Sequence, residues 1–147
     1  MDLLSMAREH RELVAGAASL SGLASALKTP EDADQAVVQL AAFGRRLTDH
    51  LIAEDRDVYS VLMSDPDPGI RSLAADAFGD VGGLVSAWRM LSAHWTRTAI
   101  LADPARFADA MSSTLDALML RIELEENLLY PAAQAAAHGR RAEMADA

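Results

Sequence analysis

Residues 29–64 read TPEDADQAVVQLAAFGRRLTDHLIAEDRDVYSVLMS, and this stretch decides the fold. It opens on Thr29-Pro30-Glu31-Asp32: an N-cap threonine, a proline at the first helical position, and acids in the first turn, where the helix dipole favours them. Val37, Leu40, Phe43 and Leu47 then recur at helical spacing and line one face with apolar side chains. The pattern stops before Asp65-Pro66-Asp67-Pro68-Gly69, where two prolines and a glycine exclude a helix interior.

The same reading extends outward. Leu3, Met6, Leu13 and Leu20 mark a first helix over roughly 2–28, and the stretch above gives a second over roughly 30–64. Leu84, Trp88 and Leu91 mark a third over roughly 70–101. Asp103-Pro104 repeats the cap-then-proline start, and Phe107, Met111, Leu115 and Leu118 carry a fourth over roughly 104–137. Each helix would run about 40–50 Å at ~1.5 Å per residue. Gly79, Gly82 and Gly83 predict a kink or break near residue 80. Short connections make neighbours antiparallel, so the expected fold is an all-α, up-and-down four-helix bundle. It would occupy residues 1–137, with 138–147 a polar C-terminal tail that frays after Gly139.

Composition agrees and narrows the function. Of 147 residues 51% are apolar but only 5% aromatic, and the apolar share is mostly helix-forming Ala, Leu, Val and Met. Without cysteine there is no disulfide, thiolate ligand or thiol nucleophile, which suits a reducing compartment. A net charge of −9 argues against nucleic acid or an anionic membrane as partner. The first ten residues carry Asp2, Arg8 and Glu9 and lack a signal-peptide pattern, and no apolar run is long enough to span a bilayer. A soluble cytoplasmic protein is expected.

The second half of the chain echoes the first. His50-Leu-Ile-Ala-Glu54-Asp55-Arg-Asp-Val-Tyr59 aligns with Arg121-Ile-Glu-Leu-Glu125-Glu126-Asn-Leu-Leu-Tyr130, an offset of 71 (50 to 121, 54 to 125). The same offset places His10 on Val81, so both halves separate their paired positions by 40 residues (10 to 50, 81 to 121). This is the pattern of two helical hairpins related by a pseudo-twofold. His50 and Glu54, at i and i+4, project from one helix face; His10 stands on the neighbouring helix, and the repeat sets Glu125 level with Glu54. Two imidazoles and two carboxylates inside a bundle suit Fe²⁺, Mn²⁺ or Zn²⁺.

On Glu9-His10-Arg11, on His50-Leu51 through Glu54-Asp55 and Tyr59, and on Glu125-Glu126 through Leu129-Tyr130-Pro131, the chain resembles the hemerythrin-like cation-binding (HHE) family over roughly residues 5–135. The resemblance implies a non-haem di-iron bundle. One iron would take histidines from the first two helices and the other from the last two, with carboxylates of helices two and four bridging. On that pattern His10 and His50 serve one metal, and Glu54 bridges with Glu125 or Glu126. Glu125 follows from the repeat, and Glu126 from a five-residue ligand spacing found in some members.

The chain departs from the pattern where the second metal should sit. Val81 and Arg121 replace its histidines, and neither an alkyl side chain nor a permanently charged guanidinium is a ligand. His94, 13 residues past Val81, would lie about 220° around the helix from it. It reads as a packing or surface residue, as His138 reads as a helix-end residue. Tyr59 and Tyr130 read first as core edges and second as hydrogen-bond donors near the site, and Trp88 and the methionines as core filling.

Two outcomes stay open. His10, His50, Glu54 and Glu125 could hold at most one metal, iron or another divalent transition ion, with Arg121 capping the far side. Alternatively Arg121 pairs bidentately with one carboxylate and the site is a metal-free polar network. The functions expected are accordingly a metal-, oxygen- or redox-responsive binding module, or a metal-free bundle that acts through a protein partner, as monomer or homodimer. An enzyme ranks last, because no nucleophile–base pair, phosphate loop or cofactor fingerprint is present.

Overall fold

The computed structural model describes residues 2–146. Helix α1 spans Leu3–Ser25. Helix α2 spans Pro30–Glu54 and continues through a π-helical turn, Asp55–Tyr59, into a last short turn, Ser60–Leu62. Then follow α3 (Pro68–Val81), α4 (Leu84–His94) and α5 (Arg97–Ala102). Helix α6 spans Pro104–Leu124 and passes through a second π turn, Glu125–Leu129, into Tyr130–Asp146. There is no strand among the described residues. α1 packs on α2 and α6, α2 on α4, and α4 on α6, which closes the four-helix bundle.

Each start uses the chemistry its sequence announces. Thr29 accepts from the Asp32 N–H at 3.2 Å while the Asp32 carboxylate accepts from the Thr29 N–H at 3.0 Å, a complete capping box. Asp103 caps α6 through the Arg106 N–H at 3.1 Å. Asp67-Pro68 is a third cap-then-proline pair, so α3 begins two residues before the expected 70. The expected third helix is divided twice. Gly82-Gly83 interrupt it as anticipated. A second break at Trp95-Thr96 was not anticipated: Thr96 caps α5 through the Ala99 N–H, and Trp95 turns inward onto Phe107, ring centroids 5.4 Å apart. At the C-terminal end the helix runs through Gly139 to Asp146, and its outer residues are mostly exposed. Arg140 helps to tie it down, donating to Asp65 at 3.0 Å.

Two apolar clusters fill the bundle. The larger runs from Leu13 to Ala24 on α1, Ala33 to Leu51 on α2, Leu84 to Leu91 on α4, and Phe107 to Ile122 on α6. The smaller gathers Val58, Tyr59, Leu62, α3 residues Ile70 to Val81, and Leu129 to Ala133. Between the clusters three of the four limbs contribute buried polar side chains: His10 on α1, His50 and Glu54 on α2, and Arg121 and Glu125 on α6 and its π turn. A charged layer is thus enclosed between two oily ones.

Gly44 sets the approach of α2 to α4, because a Cβ there would run into the Trp88 indole nitrogen at less than van der Waals distance. Gly44→Val is expected to lower stability by about 1–3 kcal/mol through overpacking. Gly79→Ala on α3, where nothing stands within 4 Å of an added Cβ, should instead gain up to about 1 kcal/mol of helix propensity. Urea denaturation followed by circular dichroism checks both signs.

Candidate metal centre

The site residues are buried because they continue the core stripes. On α1 the buried positions are His10, Leu13, Ala17, Leu20 and Ala24, alternating by three and four. His10 therefore occupies a core position, although its neighbours Arg8, Glu9, Arg11 and Glu12 are charged; a solvated helix-face reading of it is excluded. On α2 the stripe Leu40, Phe43, Leu47 arrives at His50 and Glu54, and on α6 Met111, Leu115, Leu118 arrives at Arg121 and Glu125. Glu54, Arg121 and Glu125 are 0% exposed.

The Glu54 carboxylate divides the layer into two halves, one oxygen in each. Its Oε2 faces the histidines: His10 Nε2 and His50 Nε2 both lie at 3.2 Å, and the Tyr130 hydroxyl donates to it at 2.6 Å. Its Oε1 faces Arg121, accepting from Nη2 at 2.9 Å and Nε at 3.2 Å. Glu125 completes the layer. Its Oε2 accepts from Arg121 Nε at 3.0 Å and from the Tyr59 hydroxyl at 2.8 Å, and its Oε1 lies 3.2 Å from His10 Nε2.

Arg121 does not form the expected bidentate pair with one carboxylate; its donors are shared more widely. Nη2 also reaches Asp55 Oδ1 at 2.7 Å, and Nη1 donates to the Val81 carbonyl at 3.2 Å. Val81 ends α3 at the glycine break, so its carbonyl belongs to the last turn, whose acceptors lack intrahelical donors. The repeat-mates of His10 and His50 thus meet each other as the histidines do, whose rings stand edge-on at 5.0 Å. Glu126 lies outside the central layer. It is 40% exposed, and its Oε1 accepts from His10 Nδ1 at 2.9 Å.

Asp55 is what the sequence reading missed, and the tyrosines take the role it ranked second, donating hydrogen bonds at the site. In a regular α-helix Tyr59 would sit about 140° around the axis from Glu54, five residues at ~100° each. The π turns remove that offset: Ser60 N–H bonds to the Asp55 carbonyl and Tyr130 N–H to that of Glu125, five residues back, so each turn carries one extra residue. Both tyrosines come round to the site, each bonding the glutamate of the other repeat. The alignment of Tyr59 with Tyr130 was the available signal. Periodicity at 3.6 residues hides its meaning.

The electrostatics follow from burial and pairing. Burial pulls the His10 imidazole down, but its contacts with Glu125, Glu54 and Glu126 outweigh that and push it up to about 10. His50 is raised in the same way, chiefly by Glu54. Burial drives Glu54 up, yet His10 and His50 hold it far below the usual carboxylate range. Glu125, with fewer donors and Glu54 beside it, is raised by burial. Two atoms at the centre, His50 Nε2 and Glu125 Oε1, are buried without a well-aligned hydrogen bond. Leaving such atoms unsatisfied is costly.

His10, His50 and Glu54 each offer a ligand atom, the three within 4.8 Å of one another, so they could hold one metal ion. The 3.2 Å nitrogen–oxygen separations fall in the range of about 3.0–3.4 Å expected between donors that share one ion at ~2.1 Å. His94 and His138 are exposed and contribute nothing here. No helix among the described residues is long and apolar enough to cross a membrane.

The model of one protein family, described as the hemerythrin HHE cation binding domain, matches residues 3–133. No curated protein and no solved structure matches the chain.

Arg121→Ala should cost about 3–5 kcal/mol of folding stability in chelator-treated protein, since it leaves buried carboxylates uncompensated. Arg97→Ala, which removes an exposed ion pair with Asp34, should cost less than about 1 kcal/mol. Parallel urea titrations provide the comparison.

Proposed function

The chain belongs to the hemerythrin family of HHE cation-binding domains, and from that premise we propose that it binds one divalent transition-metal ion in the half-site of His10, His50 and Glu54. Glu125 would be the fourth protein donor. The observation that carries the reading is the convergence of both imidazole Nε2 atoms on one carboxylate oxygen, inside a layer that keeps two polar atoms unsatisfied. Two nitrogens with carboxylate oxygen suit Fe²⁺, Mn²⁺ or Zn²⁺ and disfavour Mg²⁺ and Ca²⁺, which take oxygen ligands. Bound there, the ion would supply an exchangeable positive charge and, if iron, a centre responsive to oxygen or redox state.

The residues have separable tasks. His10, His50 and Glu54 bind. Tyr130 donates to Glu54 and stacks on the His10 ring, centroids 5.9 Å apart at 9°, which fixes both. Arg121 fills the other half: its charge lies against Glu54 and Glu125, and its centre stands 5.0 Å over the Tyr59 ring. With Val81 and Arg121 in place of imidazoles, that half offers no nitrogen donor, and its carboxylate oxygens are already taken by a fixed guanidinium, which supports a stoichiometry of one.

A second reading has its own observation. Arg121 and a charged His10 already balance the buried carboxylates. A metal-free bundle acting through a protein partner is therefore the alternative.

Elemental analysis after anaerobic loading with Fe²⁺ and desalting separates them: about one metal per chain, lost in His50→Ala, is expected. About two per chain would overturn the assignment of Arg121 and Val81 as non-ligands, and none retained would favour the metal-free reading. Protons compete with the ion for both imidazoles, whose pKa values are raised by the surrounding carboxylates, so apparent affinity should rise with pH through neutrality, measured by chelator competition.

A further inference from the structure

The geometry points to Glu9 and Glu126 as positioning residues that fix the histidine rings so that each presents Nε2 to the ion, an inference that rests on the proposed half-site. Each ring has one nitrogen directed inward and one outward. His50 Nε2 faces Glu54, and its Nδ1 meets Glu9 Oε2 at 3.2 Å. His10 Nε2 faces Glu54 and Glu125, and its Nδ1 meets Glu126 Oε1 at 2.9 Å. Neither outer carboxylate reaches the centre, and both are partly in solvent, Glu9 46% and Glu126 40% exposed. A carboxylate that accepts the Nδ1–H leaves the lone pair on Nε2, holds the ring plane and makes the inward nitrogen a better donor.

The two orienters also come from other helices than the rings they hold. Glu9 on α1 reaches His50 on α2, and Glu126 in the second π turn reaches His10 on α1. Each ring is thus fixed from its own helix by its Cα and from the next by its outer nitrogen. Glu9 matters for a second reason. It lines a surface cavity of about 310 Å³ with Glu12, Arg46, Asp49 and the edge of His50. Without its carboxylate the His50 Nδ1–H would face water and the ring would lose its outer restraint. The i,i+4 pair of His50 and Glu54 alone does not supply that restraint, because it engages only the inward nitrogen.

The test uses Zn²⁺ with the full chain, reading affinity by chelator competition and ring state by ¹H–¹⁵N spectra of the histidines. The parent should show slowly exchanging Nδ1–H signals from both rings with Nε2 on the metal. Glu9→Ala should lose the protected His50 signal and bind Zn²⁺ about 10–100-fold more weakly, and Glu126→Ala should do the same for His10. Glu9→Gln and Glu126→Gln keep an acceptor oxygen and should recover most of the affinity. Both glutamates are partly exposed, so the variants should retain the parent's helical circular dichroism. Alanine variants with parental affinity and both Nδ1–H signals would overturn the positioning role while leaving the half-site intact. Glutamine variants as weak as alanine would overturn it too, since charge alone would then be at work. A parent that takes up no Zn²⁺ would remove the half-site itself, and this inference with it.

Discussion

Two buried carboxylates, Glu54 and Glu125, constrain everything else in the bundle. Both are fully enclosed and share His10 Nε2 as a neighbour at 3.2 Å. Like charges at such range in a low-dielectric interior repel by several kcal/mol unless positive charge lies between them. The fold supplies that charge from two directions. Arg121 takes Glu54 Oε1 and Glu125 Oε2, and the imidazoles take Glu54 Oε2. The two apolar clusters on either side keep water out, which strengthens these pairs and makes any one of them expensive to lose. Packing and charge are therefore coupled: the helices cannot shift along one another without separating a carboxylate from its partner.

The pseudo-twofold explains why the halves differ in kind. Both keep a glutamate and a tyrosine, and each tyrosine crosses to the other half's glutamate. What differs is the groups of each half that meet its glutamate. In one half these are two imidazoles, whose charge depends on a proton that a metal can replace. In the other only a guanidinium meets it, charged at any accessible pH, while the Val81 carbonyl accepts from that guanidinium on its far side. The glycine break after Val81 earns its place here. It ends α3 at the level of Arg121 and leaves the Val81 carbonyl as an acceptor for Nη1.

Much of this was legible in the sequence, and the limits are physical. Caps read well because Thr29-Pro30 and Asp103-Pro104 announce themselves by local chemistry. The core read well because period-3.6 spacing is a local property: Leu13, Leu20, Leu40, Leu47, Leu84, Trp88, Phe107 and Met111 are all buried as expected. The repeat placed His10, His50, Glu54 and Glu125 on different helices at one level, and their side chains do meet there. Tyr59 and Tyr130 were ranked as core edges ahead of hydrogen-bond donors because a π turn resets the helical phase without leaving a compositional mark. Asp55 was overlooked because it looked like half of an acidic pair, whereas it reaches Arg121 across the layer. The break at Trp95-Thr96 lacks glycine and proline, and tertiary burial of the indole is what bends the chain there.

On the proposed reading, this asymmetry confines any response to an ion. The guanidinium is covalently fixed and cannot exchange, so the far half keeps constant charge whether or not an ion is present. Exchangeable charge is limited to the imidazole side, between α1 and α2, where the outer nitrogens lean on Glu9 and Glu126 at the protein surface. His10, His50 and Glu54 would hold such an ion, and its charge would take the place of protons on the imidazoles. The resulting rearrangement would reach the surface first at the two outer carboxylates, since they contact the rings directly, and only indirectly through α3 and α4, which lie behind Arg121 and the apolar clusters. A partner that distinguishes loaded from unloaded protein would then find the difference on the α1 and α2 side of the bundle, where the second π turn of α6 approaches α1.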